Sequence, residues 1–151
     1  MYLCIILLPF LSFFSTALLG RFIGIYGSWI LATSSIFGSF ILSTFAFYEV
    51  GICESPCTIS ICRWFHSELF LTFWGFYFDS ISTVMLLVVT GVSSLVHLYS
   101  TEYMSHDPHQ GRFMGYLSLF TGFMLFLVTA DNFLVMFLGW EGIGLASFLL
   151  I

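Results

Sequence analysis

Long runs of apolar residues dominate this chain, and short polar stretches separate them. An α-helix needs about 20 predominantly apolar residues to cross a hydrocarbon layer of about 30 Å. The pattern predicts five such spans, at approximately residues 2–19, 22–48, 79–103, 113–130 and 132–151. We therefore expect an all-α integral membrane protein in which residues 1–151 form a single membrane domain.

The only sizeable polar stretch lies between the second and third spans, at approximately residues 49–78. It is too polar to cross a membrane and too short to form a domain of its own. Within it, the tract TISICRWF at 58–65 combines β-branched and aromatic residues, which favours a short hairpin. The stretch is therefore predicted to be an extramembrane loop or hairpin that lies on the membrane face.

Polar residues mark the predicted turns and helix starts. Arg21 marks the turn between the first two spans, and Asp107-Pro108 predicts a tight reversal before the fourth. Asp79 is placed to cap the third helix, and Asn132 is placed to cap the fifth.

The composition agrees with a membrane protein and excludes a nucleic-acid-binding one. The chain is 60% hydrophobic and only 7% charged, and its net charge is −5. It contains no lysine, and its arginines, Arg21, Arg63 and Arg112, are scattered along the sequence. The positive-inside rule places Arg21 and Arg112 inside, with the N-terminus and the long loop outside.

An acidic residue interrupts the last apolar run, LVMFLGWEGIGLASFLLI. Glu141 lies on the order of 13 Å from the start of the predicted helix, close to mid-membrane. An acidic side chain at that depth costs roughly 3 kcal/mol, so it usually faces protein or water and has a function. Gly139, Gly142 and Gly144 would let a neighbouring backbone approach. We predict that Glu141 carries protons; the alternative is a neutral carboxyl group that only bonds two helices together.

Polar side chains of the third span recur on one helical face. They are Thr83, Thr90, Ser94, His97 and Thr101, at spacings of seven, four, three and four residues. The hydroxyl groups are expected to bond to backbone carbonyls within a small-residue helix contact. His97 lies about 27 Å along the axis from Asp79, where a side chain that titrates near neutrality could relay protons. An interfacial histidine without that role is the alternative.

Three cysteines lie in the polar loop. Cys53, Cys57 and Cys62, together with His66, superficially suit a zinc site. Their spacings are looser than those of zinc knuckles, so free thiols are expected, with a disulfide preferred to zinc in an oxidising compartment. We expect neither a metal nor a cofactor in this chain.

Several stretches closely resemble one protein family. They are FYFDSIS at 76–82, SSLVHLYSTEYMSHDPH at 93–109, RFMGYLSLF at 112–120 and DNFLVMFLGWEGIGLASFLLI at 131–151. They resemble mitochondrial NADH dehydrogenase subunit 5, an antiporter-like membrane subunit of respiratory complex I. The PFL, GRF and FYEV runs nearer the N-terminus are similar to the same subunit, in its N-terminal portion.

The resemblance implies a proton-translocating subunit of an NADH:ubiquinone reductase in the mitochondrial inner membrane. It would carry no redox centre and would help couple electron transfer in other subunits, which hold flavin and iron–sulfur clusters, to proton pumping. The glutamate of the family's GWEG motif, a key residue of the proton pathway, maps onto Glu141. His97, as a relay, and Asp79 fall in family motifs near the ends of the third helix.

Members of this family usually have more than a dozen spans, including a later broken helix that carries a lysine. We expect a separate chain that supplies the rest of the subunit; the alternative is a longer chain of which this sequence is a part. The expected partners are that chain, other membrane-arm subunits and the lipid bilayer. A purely structural membrane anchor and a subunit of a multisubunit cation/proton antiporter remain alternative functions.

Overall fold

The computed structural model describes all 151 residues and consists of four α-helices, a π-helix and a two-stranded sheet. The elements are α1 (Tyr2–Ala46), the π-helix (Phe47–Ile52), β1 (Cys57–Ser67), β2 (Phe70–Phe78), α2 (Ser80–Tyr103), α3 (Gln110–Val128) and α4 (Phe133–Leu150). All four α-helices are long and apolar enough to cross a membrane. The prediction of a helical membrane protein with a hairpin between the second and third spans is confirmed.

Helix α1 consists of two arms that are joined at Gly24. This glycine has φ 77° and ψ 179°, inside a stretch that is otherwise helical. The two arms run antiparallel, because the Ser39 hydroxyl donates to the carbonyl of Ile5 at 3.2 Å. The arms, residues 2–23 and 25–46, provide two apolar helices, so the chain contains five helical segments of the predicted kind.

The turn between these arms lies at Gly24 and not at Arg21, where the sequence predicted it. Arg21 continues the helix of the first arm. The reversal requires a backbone with positive φ, which glycine adopts at little cost because it has no Cβ. Arg21 does lie near the turn between the two arms of α1, but a charged side chain does not determine where a helix can reverse.

The five segments alternate in direction, and α3 lies against α1, α2 and α4. The second arm packs on α2, where the hydroxyl oxygens of Ser43 and Thr90 lie 2.8 Å apart. At the contact between α3 and α4, a Cβ at Gly139 would lie 2.9 Å from the Cα of Leu127. Small residues therefore set how closely the helices approach.

One face of α3 carries small residues that contact the first arm of α1. A Cβ at Gly115 would lie 2.8 Å from the Thr16 hydroxyl oxygen, and one at Gly122 would lie 3.2 Å from the ring of Phe10. Ser118 lies between these glycines on the same face. This face therefore lets α3 pack closely on the first arm.

The antiparallel strands β1 and β2 pair from Cys57 with Phe78 to Ser67 with Phe70. The hairpin bonds to the turn between α3 and α4, because the Tyr77 N–H donates to the Thr129 carbonyl at 2.9 Å. Phe78 is fully buried in the apolar core that includes residues of α1, α2, α3 and α4.

The two ends of the bundle differ in the number of arginines. The end with Gly24 and the start of α3 carries Arg21 and Arg112, and the end with the hairpin carries Arg63. Two of the three arginines therefore lie together at one end, as the predicted spans require.

Candidate functional site

Glu141 lies at the centre of α4, as the ninth of its 18 residues. The helix is about 27 Å long, so the carboxyl group lies about 12 Å from its start. Asn132 caps that start, since its side chain accepts a hydrogen bond from the Val135 N–H at 3.0 Å. The predicted cap is confirmed, and it fixes the helix so that Glu141 lies midway along an apolar segment.

The two faces of α4 have different surroundings. The face toward α3 is buried and contains Val135, Gly139, Gly142 and Ala146. The opposite face contains Glu141, which is exposed, together with Phe137 at 61%, Trp140 at 67% and Phe148 at 77% exposure. Glu141 is therefore the one charged group on an apolar face that this chain leaves uncovered.

The three glycines beside Glu141 have different surroundings. Gly139 and Gly142 contact α3, at the backbone of Leu127 and the ring of Phe123. Close approach of a neighbour is confirmed at both positions. A Cβ at Gly144 would meet nothing within 4 Å, because this residue lies on the side of Glu141 and not on the side of α3.

His97 is fully buried where α2 meets α3. Its Nδ1 lies 2.7 Å from the carbonyl oxygen of Ser93, and since a carbonyl only accepts, Nδ1 carries the proton. Nε2 lies 3.2 Å from Ser118 Oγ on α3. Ser118 Oγ lies 3.3 Å from Ser12 Oγ on the first arm of α1. The imidazole therefore joins three helices through hydroxyl groups.

A second set of hydroxyl contacts begins at Ser93, whose carbonyl oxygen accepts from His97 Nδ1. The hydroxyl oxygens of Ser93 and Thr121 lie 2.6 Å apart, and Thr121 donates to the Leu117 carbonyl at 3.0 Å. Sequence reasoning missed Ser12, Ser93 and Thr121. The signal that could have found them is a hydroxyl residue at helical spacing inside each otherwise apolar span.

The other polar residues of α2 behave as predicted. Thr90 and Ser94 are buried, and they donate to the carbonyls of Leu86 and Gly91 at 2.6 and 2.7 Å. Thr101 departs from the pattern, because it is only half-buried. The ring of His97 is enclosed between helices.

Asp79 caps α2, as predicted. Its Oδ1 accepts a hydrogen bond from the Ser82 N–H at 2.7 Å. It lies at the opposite end of α2 from His97, and Glu141 lies on α4, which packs mainly on α3. The structure therefore does not bring the three predicted site residues together.

The loop cysteines and His66 do not form a group that could hold a metal ion. All four cysteines of the chain are free thiols, and Cys53 and Cys62 are exposed.

The fold is that of a multi-pass α-helical membrane protein with a carboxyl group midway along its last apolar helix. The family model for NADH-ubiquinone oxidoreductase (complex I), chain 5 N-terminus, matches residues 64–114. Over all 151 residues the chain is 56% identical to NADH-ubiquinone oxidoreductase chain 5 of Marchantia polymorpha. The identity is 58% for the Arabidopsis thaliana protein and 55% for that of Rhizopus stolonifer.

The chain is therefore similar over its whole length to part of NADH-ubiquinone oxidoreductase chain 5, and the resemblance seen in the sequence is confirmed. Each of these matches covers 100% of this chain and 23% of the relative. The chain thus spans less than a quarter of the length of the curated relatives it matches.

Proposed function

We propose that this chain forms the N-terminal part of a proton-translocating membrane-arm subunit of complex I, in the mitochondrial inner membrane, and that Glu141 carries the protons. The names of the relatives support the choice of enzyme over a cation/proton antiporter. The observation that carries the proposal is the position of Glu141, halfway along α4 on its uncovered apolar face.

A carboxyl group at this depth is unfavourable in lipid, by roughly 3 kcal/mol. The outer face of α4 would therefore be covered by further polypeptide in the assembled protein. The relatives contain such additional sequence, because this chain corresponds to 23% of their length. Trp140 and the open position at Gly144 would become part of that contact.

Proton transfer requires the neutral and charged forms of the carboxyl group to be close in free energy. A low-dielectric environment favours the neutral form, whereas a nearby cation favours the charged form. This chain has no lysine, and its three arginines lie outside α4. The cation would therefore come from the covering segment, and a change in its distance from Glu141 would bind or release a proton.

His97 would act as a relay through Ser118. In the neutral imidazole, Nε2 accepts a hydrogen bond from the Ser118 hydroxyl, 3.2 Å away. When Nε2 gains a proton, it donates to Ser118 Oγ instead, and the serine hydroxyl turns to the Met114 carbonyl, 3.0 Å away. A single hydroxyl rotation thus accommodates the added proton without leaving a donor unpaired.

The test of the proposal is Glu141→Gln in the assembled enzyme, with proton pumping measured per NADH oxidised. Glutamine keeps the size and polarity of the side chain but cannot carry a proton, so we expect intact assembly and reduced pumping. Glu102→Gln is the matched control, since Glu102 is exposed near the end of α2. Normal pumping in Glu141→Gln would contradict the proposal and support a structural anchor.

Purification of the complex that contains this chain tests separately whether that complex is complex I or a cation/proton antiporter. Co-purification with flavin and iron–sulfur proteins is expected. A complex without either group would favour the antiporter.

A further inference from the structure

A positively charged cavity lies at the Gly24 end of the bundle, between the turn of α1 and the start of α3. Its volume is about 500 Å³, within the usual range of small-molecule sites. The polar and glycine residues that line it include Arg21, Gly24 and Ser28 of α1, and His109, Gly111 and Arg112 around the start of α3. No acidic residue lines it.

The donors around this cavity suit a phosphate group. Two arginines contribute guanidinium groups, which bind phosphate oxygens in a bidentate manner. The first turn of α3 lies in the same wall. The N–H of His109, the residue before this helix, donates to Asp107 Oδ1 at 2.8 Å, whereas the next backbone N–H groups have no carbonyl partner within the helix. The positive end of the helix dipole adds to the attraction for an anion.

The surroundings of the cavity indicate that the phosphate belongs to a lipid. The cavity lies at one end of five apolar helical segments, which is where lipid headgroups meet a membrane protein. Beside it, the first arm of α1 exposes large apolar side chains, with Leu18 at 74% and Phe22 at 88% exposure. These side chains would contact acyl chains, which a free phosphate ion lacks.

We propose that this cavity binds the phosphate group of an anionic membrane phospholipid. Arg21 and Arg112 hold the phosphate from two sides, and the apolar side chains of the first arm hold the start of the acyl chains. This site lies at the end of the bundle, away from Glu141, and it does not depend on proton translocation.

The experiment is a titration of the detergent-solubilised full chain with short-chain phosphatidylglycerol, in which calorimetry measures the binding. A basic residue near an anionic lipid contributes about a fivefold change in affinity, so Arg21→Gln with Arg112→Gln should weaken binding about 25-fold. Arg63→Gln is the matched control, because Arg63 lies in β1 at the other end, and it should bind as the unaltered chain does. Equal binding by all three proteins would overturn the proposal.

Two further measurements keep the result interpretable. Circular dichroism checks that the double variant is folded; if it is not, Arg112→Gln alone should still lose about fivefold in affinity. Inorganic phosphate alone is expected to bind at least about tenfold more weakly than the lipid, because it lacks the apolar contacts. Equal affinity for phosphate and lipid would overturn the assignment to a lipid.

Discussion

The Nε2 atom of His97 lies 3.2 Å from Ser118 Oγ, across the contact between α2 and α3. This pair is the only direct connection that the buried imidazole makes to a neighbouring helix through its own ring nitrogens. It therefore couples the packing of the two helices to the protonation of the ring.

Replacement of Ser118 by alanine should impair both properties. The buried Nε2 would lose its partner, which costs about 1 to 3 kcal/mol of unfolding free energy. Proton uptake by the assembled enzyme, followed with a pH-sensitive dye, should slow as well. Ser94→Ala is the control, because Ser94 is buried on α2 but bonds only to the carbonyl of Gly91. Unchanged uptake in Ser118→Ala would exclude His97 from the pathway.

Replacement of Gly24 by alanine should destabilise the hairpin of α1. A side chain at φ 77° and ψ 179° is strained by about 1 to 3 kcal/mol, because essentially only glycine adopts this backbone conformation. The free energy of unfolding in mixed detergent would measure the loss. Gly20→Ala should instead be neutral or slightly stabilising, because Gly20 is helical and a Cβ there meets nothing within 4 Å. Equal effects of the two substitutions would show that the turn is not fixed by backbone conformation.

Replacement of Asp79 separates its capping role from a role in proton transfer. Asparagine caps helices about as well as aspartate, so Asp79→Asn should keep both the stability and the pumping. Asp79→Ala removes the acceptor for the Ser82 N–H and should cost about 1 kcal/mol of unfolding free energy. A stable Asp79→Asn protein that no longer pumps would show that the charge itself is needed.

Two glycines of α4 test whether further polypeptide covers the face that carries Glu141. Gly144→Leu should leave the stability of the isolated chain unchanged, because that position is open, but it should block assembly. Gly139→Ala should destabilise the isolated chain by about 1 to 3 kcal/mol, since its Cβ would lie 2.9 Å from the backbone of Leu127. Normal assembly of Gly144→Leu, judged by native electrophoresis, would show that this face stays uncovered.

The sequence predicted the parts of the structure that depend on local patterns. Apolar length gave the helical segments, and side-chain chemistry gave the caps at Asp79 and Asn132. The depth of Glu141 followed from its position within an apolar run, because a helix rises by a constant distance per residue.

The contacts between helices could not be predicted from such local patterns. Ser118, the hydroxyl partner of His97 on the neighbouring helix, lies 21 positions away in the chain, and periodicity shows only that each residue lies on some inner face. The turn at Gly24 was missed for a different reason. Several glycines lie nearby, and the sequence does not show which of them adopts a positive φ.

The hairpin of β1 and β2 also determines the position of α4. β2 bonds to the turn before α4 at two places: Tyr77 N–H donates to the Thr129 carbonyl at 2.9 Å, and the Asn132 side-chain amide donates to the Phe73 carbonyl at 2.6 Å. The start of α4 is thus anchored to a small sheet that lies outside the lipid. Any movement of that sheet would be transmitted along α4 and would raise or lower Glu141 along the helix axis, so the hairpin sets the position of the one charged group on this apolar helix.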